Sequence, residues 1–220
     1  MDVLTSSEYG VFSSNVPTLH SGMARDPGFF AEVIRTAFCP KHDVAHETSE
    51  QDSENAYARA RKAVDLLQSW HVVPGSLELC SIDEVVLRQW VSKARELCAA
   101  SDHAAIADEY IGKVFASAPS DPSDQMWPHK AVREIIEELG SPEVDLGLQI
   151  AIFNQRGVSA KDPFAGGTQE RSLSAMYRER AAFMASSWPR LASVFRALAD
   201  EYDGFAVRED HRAKILDMQF

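Results

Sequence analysis

What most narrows the folds open to this chain is its punctuation. Apolar residues recur at three- and four-residue spacing, and most such runs open on an Xaa-Pro pair or a capping residue. Asp26-Pro27 opens a run through Phe38, and Trp127-Pro128 opens one that Gly140 stops. Ser141-Pro142 opens another, stopped by Gly157, and Trp188-Pro189 opens the longest. Proline suits a first helical turn because the N–H it lacks would have no partner there. Glycine ends helices because it takes left-handed backbone without strain. Period-2 alternation of β-branched residues is missing from the sequence. The expected class is all-α: about eight or nine helices in antiparallel pairs, as an irregular bundle or a short α-solenoid.

The organisation follows from the same signals. Residues 1–15, rich in Ser and without periodicity, are expected to form a flexible arm, and residues 16–220 a single helical domain with a sub-boundary near 119–126. Tyr57, Ala60, Val64 and Leu67 mark the buried face of a helix ending near Trp70. Ser81-Ile82-Asp83-Glu84 reads as a capping box, before a helix with Val86, Trp90, Ala94 and Leu97 on its buried side. Ser101-Asp102 is expected to start the next helix, and Thr168 to cap one running to about Ser187. Gly204 is a place where the last helix is expected to kink or divide.

Charge excludes some functions. The 22 Lys and Arg residues face 33 Asp and Glu, a net charge of −11, which argues against a phosphate-backbone partner. No apolar run of about 18 residues is present, so no membrane partner is expected. The start lacks the basic and apolar regions of a signal peptide, and three scattered cysteines suit a reducing compartment, so the expected location is cytoplasmic. Residues 168–220 carry eight basic and eight acidic side chains, which places the whole acid excess in residues 1–167. Between Gly167 and Arg196, five arginines (Arg171, Arg178, Arg180, Arg190 and Arg196) accompany only Glu170 and Glu179. Intramolecular pairing is the simpler account of this patch, and a docking surface for an acidic partner or a phosphate is the sharper one.

Few residues are spaced for chemistry. Cys39, His42 and His46, with Asp43 or Cys80, form the closest approach to a metal set, but the paired Cys-x2-Cys knuckle is missing. No metal and no cofactor is therefore expected. Cys98 falls on an apolar helical stripe and reads as a buried thiol, while Asp102 beside His103 reads as incidental. Catalytic signatures such as G-x-S-x-G, HExxH and Glu-x-x-His do not occur. The most suggestive stretch is a glycine loop before a helix, where Asn154, Arg156, Gly166, Gly167 and Arg171 could surround an anion. Glu170 in the first turn of that helix would repel a phosphate. The preferred reading is structural, with Gly157 as a C-cap, Gly166-Gly167 as a tight corner, and Glu170 and Arg171 as ties to neighbouring elements.

A set of residues also carries a resemblance. It comprises Trp127-Pro128, Val132-Arg133, Ile136-Glu137, Asn154-x-Arg156-Gly157-Val158, Gly166-Gly167-x2-Glu170-Arg171-x-Leu173, Tyr177, Trp188-Pro189-Arg190-x-Ala192, Tyr202 and Asp210. Earlier members are Asp26-Pro27, Phe30, the Trp70 to Gly75 turn, Trp90-Val91, Arg95 and Ile111-Gly112. Together they resemble the C-terminal helical segment of very long bacterial proteins of unknown function. The resemblance implies a bacterial cytosolic setting and a helical module at the end of a larger assembly, with this chain a free-standing version or an excised piece. It assigns no catalytic residue. The expected function is a non-enzymatic protein–protein interaction or scaffold module that meets a protein partner or a second copy. The alternatives are an anion- or nucleotide-binding protein or enzyme using the 154–171 loop, and a defence- or toxin-associated accessory protein.

Overall fold

A computed structural model of the chain describes residues 16–38, 50–77, 80–157 and 166–217. Nine α-helices make up most of them: α1 Val16–Arg25, α2 Pro27–Ala37, α3 Glu50–Ser69, α4 Glu84–Ala99, α5 Ala104–Phe115, α6 Lys130–Leu139, α7 Pro142–Gln155, α8 Thr168–Met184 and α9 Pro189–Asp217. Among the described residues no strand forms, and the sole sheet-like contact is one bridge between Ser76 and Ile82. The expected arm at 1–15 and the Cys39, His42, Asp43 and His46 set lie outside the described residues.

Local chemistry sets most helix ends. Asp26 accepts a hydrogen bond from the Gly28 amide at 2.8 Å, with Pro27 in the first turn of α2. Ser141 does the same for Val144 ahead of α7, and Gly140, at φ +58°, closes α6 in the left-handed region. Other starts fall elsewhere than expected. Asp83, not Ser81, caps α4, its carboxylate taking both the Val85 and Val86 amides at 3.0 Å. A carboxylate one residue from the helix can reach two amides, which a hydroxyl three residues away cannot. Residues 101–103 turn through Asp102 at φ +63°, so α5 begins at Ala104. The Trp127–Pro128 peptide is cis and the chain enters α6 only at Lys130, with His129 at the cap accepting from the Ala131 amide. Gly167 rather than Thr168 stands at the cap of α8, which ends at Met184. Gly204 does not divide α9, which runs unbroken for 29 residues.

Packing proceeds in two clusters that share one core. In the first, α2 lies against α3 and α4, and Phe30, Trp70 and Trp90 meet with ring centroids 5.1–5.7 Å apart. Trp90 donates its indole N–H to the Met23 carbonyl at 2.9 Å. The buried side of α3 is Ala63 and Leu67, while Tyr57 is 73% exposed. Tyr57 shares the expected stripe yet stays exposed. Val86 is likewise exposed, because Leu87, Trp90, Val91, Ala94 and Cys98 take the inward side of α4. Beside this cluster His20 is buried, with Nε2 3.1 Å from the Ser69 hydroxyl and its ring 4.8 Å from that of His71.

In the second cluster, α5 packs on α7 and α8 on α9. The first pair meets backbone to backbone. Gly112 lies against the Val144 carbonyl and Gly147 against that of Glu109, so that a methyl group at either glycine would overlap a carbonyl oxygen of the facing helix. The cross-pairing of 109 with 147 and 112 with 144 makes the two helices antiparallel. The second pair is antiparallel as well, since Arg171 reaches Asp210 while Arg178 reaches Asp200 and Asp203. Glu137 on α6 accepts from the Arg190 and Leu191 amides at 3.1 and 2.9 Å, capping α9 from another helix. A bidentate pair, Arg95 to the buried Asp108 at 2.8 and 2.9 Å, ties α4 to α5 and thereby one cluster to the other.

Two measurements test this packing. Gly112→Ala should destabilise the chain by about 1–3 kcal/mol, the usual cost of overpacking, in chemical denaturation; an unchanged midpoint would refute the backbone contact. Burial, then the neighbouring His71, hold the His20 imidazole below its ordinary value. The unfolded chain therefore takes up more protons below about pH 6.5, so stability is full above that value and falls as the pH drops through the folded one. Melting temperature should decline from pH 7.5 towards 5.5, and His20→Gln should flatten that decline.

Candidate functional site

Gly166, Gly167 and Arg171 converge on Asp210 of α9, whereas Asn154 and Arg156 do not. At Gly166, with φ +55°, and Gly167, the backbone passes so close to Asp210 and the Ala206 carbonyl that side chains would collide. The Gly167 amide donates to Asp210 Oδ1 at 2.8 Å, and Arg171 closes on the same carboxylate with both terminal nitrogens. Hydrogen bonds from Arg171 and from the Gly167 amide hold the Asp210 carboxyl down at about 2. Arg156 points the other way, 3.3 Å from the fully buried Glu170 and with its guanidinium 5.4 Å from the Tyr202 ring centre. Both arginines of the expected anion clamp thus face carboxylates, and they face different ones. Asn154 is exposed at the end of α7, and Gly157, at φ +65°, follows it in the C-terminal turn. The tie to the loop that was expected of Glu170 with Arg171 is made by Glu170 with Arg156 and by Arg171 with Asp210.

The arginine-rich stretch divides in the same manner. Arg171, Arg178 and Arg190 pair with Asp210, with Asp200 and Asp203, and with Asp145. Neither Arg180 nor Arg196 meets a carboxylate among the described residues. Arg180 instead lies 5.8 Å from the ring centres of both Trp127 and Tyr177.

Those rings belong to a cleft of about 360 Å³ between α7, α8 and α9, whose walls also include Ile152, Gln155, Arg156, Leu173, Met176 and Tyr202. Tyr177 stacks on Tyr202 at 5.6 Å with their planes 11° apart, and Phe195, Phe153 and Phe205 extend the aromatic cluster. Burial raises the Tyr177 phenol and the adjoining Tyr202 adds to this, while Arg180 and Arg156 pull it back. Tyr202 is fully buried, and its hydroxyl has no hydrogen-bond partner among the described residues. The loop before α6 sets the Trp127 wall, with the Trp127 indole donating to the Ala118 carbonyl at 2.8 Å. Asp121 organises that loop, accepting from Ser123 and from the Lys130 amide at 3.0 Å. Burial alone would raise the Asp121 carboxyl, but these bonds and nearby His129 hold it at about 2. Of the cleft's residues, Arg156 belongs to the expected anion loop and Arg180 to the basic patch, while Trp127, Leu173, Tyr177 and Tyr202 are among those that carry the resemblance. The signal available in the sequence was that Arg180 shares its stretch with fewer acids than arginines.

A second concavity, of about 620 Å³, opens between α1, α2 and α3. Leu19, Phe29, Val33, Ala63 and Leu66 make its apolar surface. Thr36 and Ser69 also line it, and their hydroxyls donate to carbonyls of their own helices, Glu32 and Asp65. Those hydroxyls therefore add little polarity to the wall. Its charged lining is Glu32, Lys62 and Asp65, of which the two carboxylates have no ion-pair partner among the described residues.

Other candidates have structural roles. Cys98 is fully buried, and burial pushes its thiol up to about 11, whereas Cys80 is an exposed free thiol. Both ring nitrogens of His103 lie against backbone carbonyls, those of Ser101 and, at 2.8 Å, Phe38, so the ring props the start of α5. Among the described residues no three His, Cys, Asp or Glu side chains are grouped to hold a metal, and no helix is long and apolar enough to cross a membrane.

The corner at Gly167 has a direct test. Asp210→Ala should speed hydrogen exchange of the Gly167 amide and lower the melting temperature, while Asp210→Asn, keeping an acceptor, should leave that exchange slow. Equal exchange in both variants would exclude Asp210 as the acceptor.

Against this geometry, comparison with known proteins adds no relative: no family model, curated protein or solved structure matches the chain.

Proposed function

We propose that this chain is a non-enzymatic helical interaction module whose α1–α2–α3 groove receives an amphipathic helix of a partner protein. The observation that carries the reading is the groove itself, an apolar channel open to solvent with Leu19 39% exposed beside it. An apolar surface of this kind is stabilised when covered, at roughly 25 cal/mol per Å² removed from water. Its shape suits a ridge of side chains at i, i+3, i+4 and i+7. Glu32 and Asp65, which have no ion-pair partner among the described residues and outnumber Lys62 on the groove wall, favour a helix with Lys or Arg flanking the apolar ridge. The acid excess in residues 1–167 supports the same preference. The free thiols at Cys80 and Cys98 support the expected reducing, cytoplasmic setting. The bacterial resemblance supports a role within a larger assembly.

The test uses a fluorescein-labelled amphipathic peptide of about 18 residues, with a Leu ridge and Lys on its polar face, and its Glu-for-Lys counterpart. Fluorescence polarisation should show the Lys peptide binding more tightly, and Leu66→Glu should weaken it at least about tenfold with the helical circular-dichroism signal retained. The reading fails if Leu66→Glu leaves peptide binding intact. It also fails if the same substitution abolishes self-association in light scattering, since the groove would then belong to a second copy.

A further inference from the structure

We propose that the cleft between α7, α8 and α9 binds a small organic carboxylate with a flat, apolar body. Arg180 has its guanidinium beside the faces of Trp127 and Tyr177 and no carboxylate partner among the described residues. Aromatic faces hold a guanidinium by its plane and leave its N–H edge for an acceptor of matching flat geometry, which a carboxylate supplies with two oxygens. Tyr202 lines the same cleft with a buried hydroxyl that nothing in the described chain satisfies. A buried hydroxyl without a partner costs free energy, and a ligand oxygen would offset that cost.

Charge narrows the class of ligand. Glu170 already balances Arg156, so the cleft holds one uncompensated positive charge, that of Arg180. One charge suits a monoanion and not a phosphoanhydride chain, whose further charges would meet no second free cation among the described residues of the cleft. Ile152 and Met176 supply apolar wall for the ligand's body, and about 360 Å³ accommodates one substituted ring. This site uses different helices from the groove and stands on different observations, so the two proposals fail separately.

The test takes the full chain with benzoate, phenylacetate and indole-3-acetate as probes, against benzamide and inorganic phosphate. Saturation-transfer NMR and thermal shift should find at least one carboxylate binding with Kd near 1 mM, as expected for a ligand of this size. Benzamide should bind about tenfold more weakly than benzoate. Arg180→Met, at a half-buried position, should fold normally and reduce carboxylate affinity about tenfold or more. Tyr202→Phe removes only the unpaired hydroxyl, so it should leave the melting temperature unchanged or higher while weakening the carboxylate several-fold. The proposal is overturned if no carboxylate binds at about 10 mM, ten times that Kd, or if benzamide or phosphate binds as well. It is equally overturned if Arg180→Met retains full affinity, or if Tyr202→Phe lowers the melting temperature without affecting binding.

Discussion

The backbone contact of α5 with α7, made by Gly112 against Val144 and by Gly147 against Glu109, is the constraint on which the second cluster depends. Two helices whose backbones touch at a glycine cannot slide without bringing a larger side chain against the facing carbonyl. With α5 and α7 locked, Asp145 at the start of α7 stands where Arg190 can pair with it, and α9 begins beside that pair. Ile152 and Gln155, at the far end of α7, then become one wall of the aromatic cleft. The same contact places Asp108, on α5, against Arg95 of α4. That joins the tryptophan-centred cluster to the remainder of the chain.

Around this contact, carboxylates repeatedly complete a backbone end that lies far away in sequence. Glu137 caps α9, Asp210 receives the Gly167 amide, and Asp121 takes the Lys130 amide at the entrance of α6. Each negative group sits where a helix start leaves N–H groups without intrahelical partners. An acidic chain therefore uses part of its excess internally. Arg133 shows the reverse case, a fully buried guanidinium held by Asp124 at 2.7 Å and by the face of Trp188, with two of its nitrogens unsatisfied among the described residues. Such a group adds little net stability and costs more if its one partner is removed.

Legibility in the sequence followed the range of the forces involved. The helical class, the Asp26-Pro27 and Ser141-Pro142 starts, the Gly140 stop and the burial of Cys98 rest on interactions within a few residues, and all could be read from spacing. Asp83 as the cap of α4 could not, because Ser81 opens the better capping box and only the backbone path brings Asp83 to the cap instead. Tyr57 and Val86 misled because periodicity locates a stripe but not where another helix covers it. At the candidate sites, Arg156 and Arg171 were visible as residues, whereas their partners were not. Asp210 lies 39 positions from Arg171, and nothing local links them. The cleft was the least legible feature, since Trp127, Tyr177, Arg180 and Tyr202 come from three separate elements.

The unbroken course of α9 ties these features into one mechanical part. A single rod carries the amides that Glu137 holds, the tyrosine at the cleft, and the carboxylate at the Gly167 corner. A slip of one residue along its axis would turn it by about 100° and advance it by about 1.5 Å, disengaging all three together. The helix works as a key with three teeth, seated in one register or not seated at all.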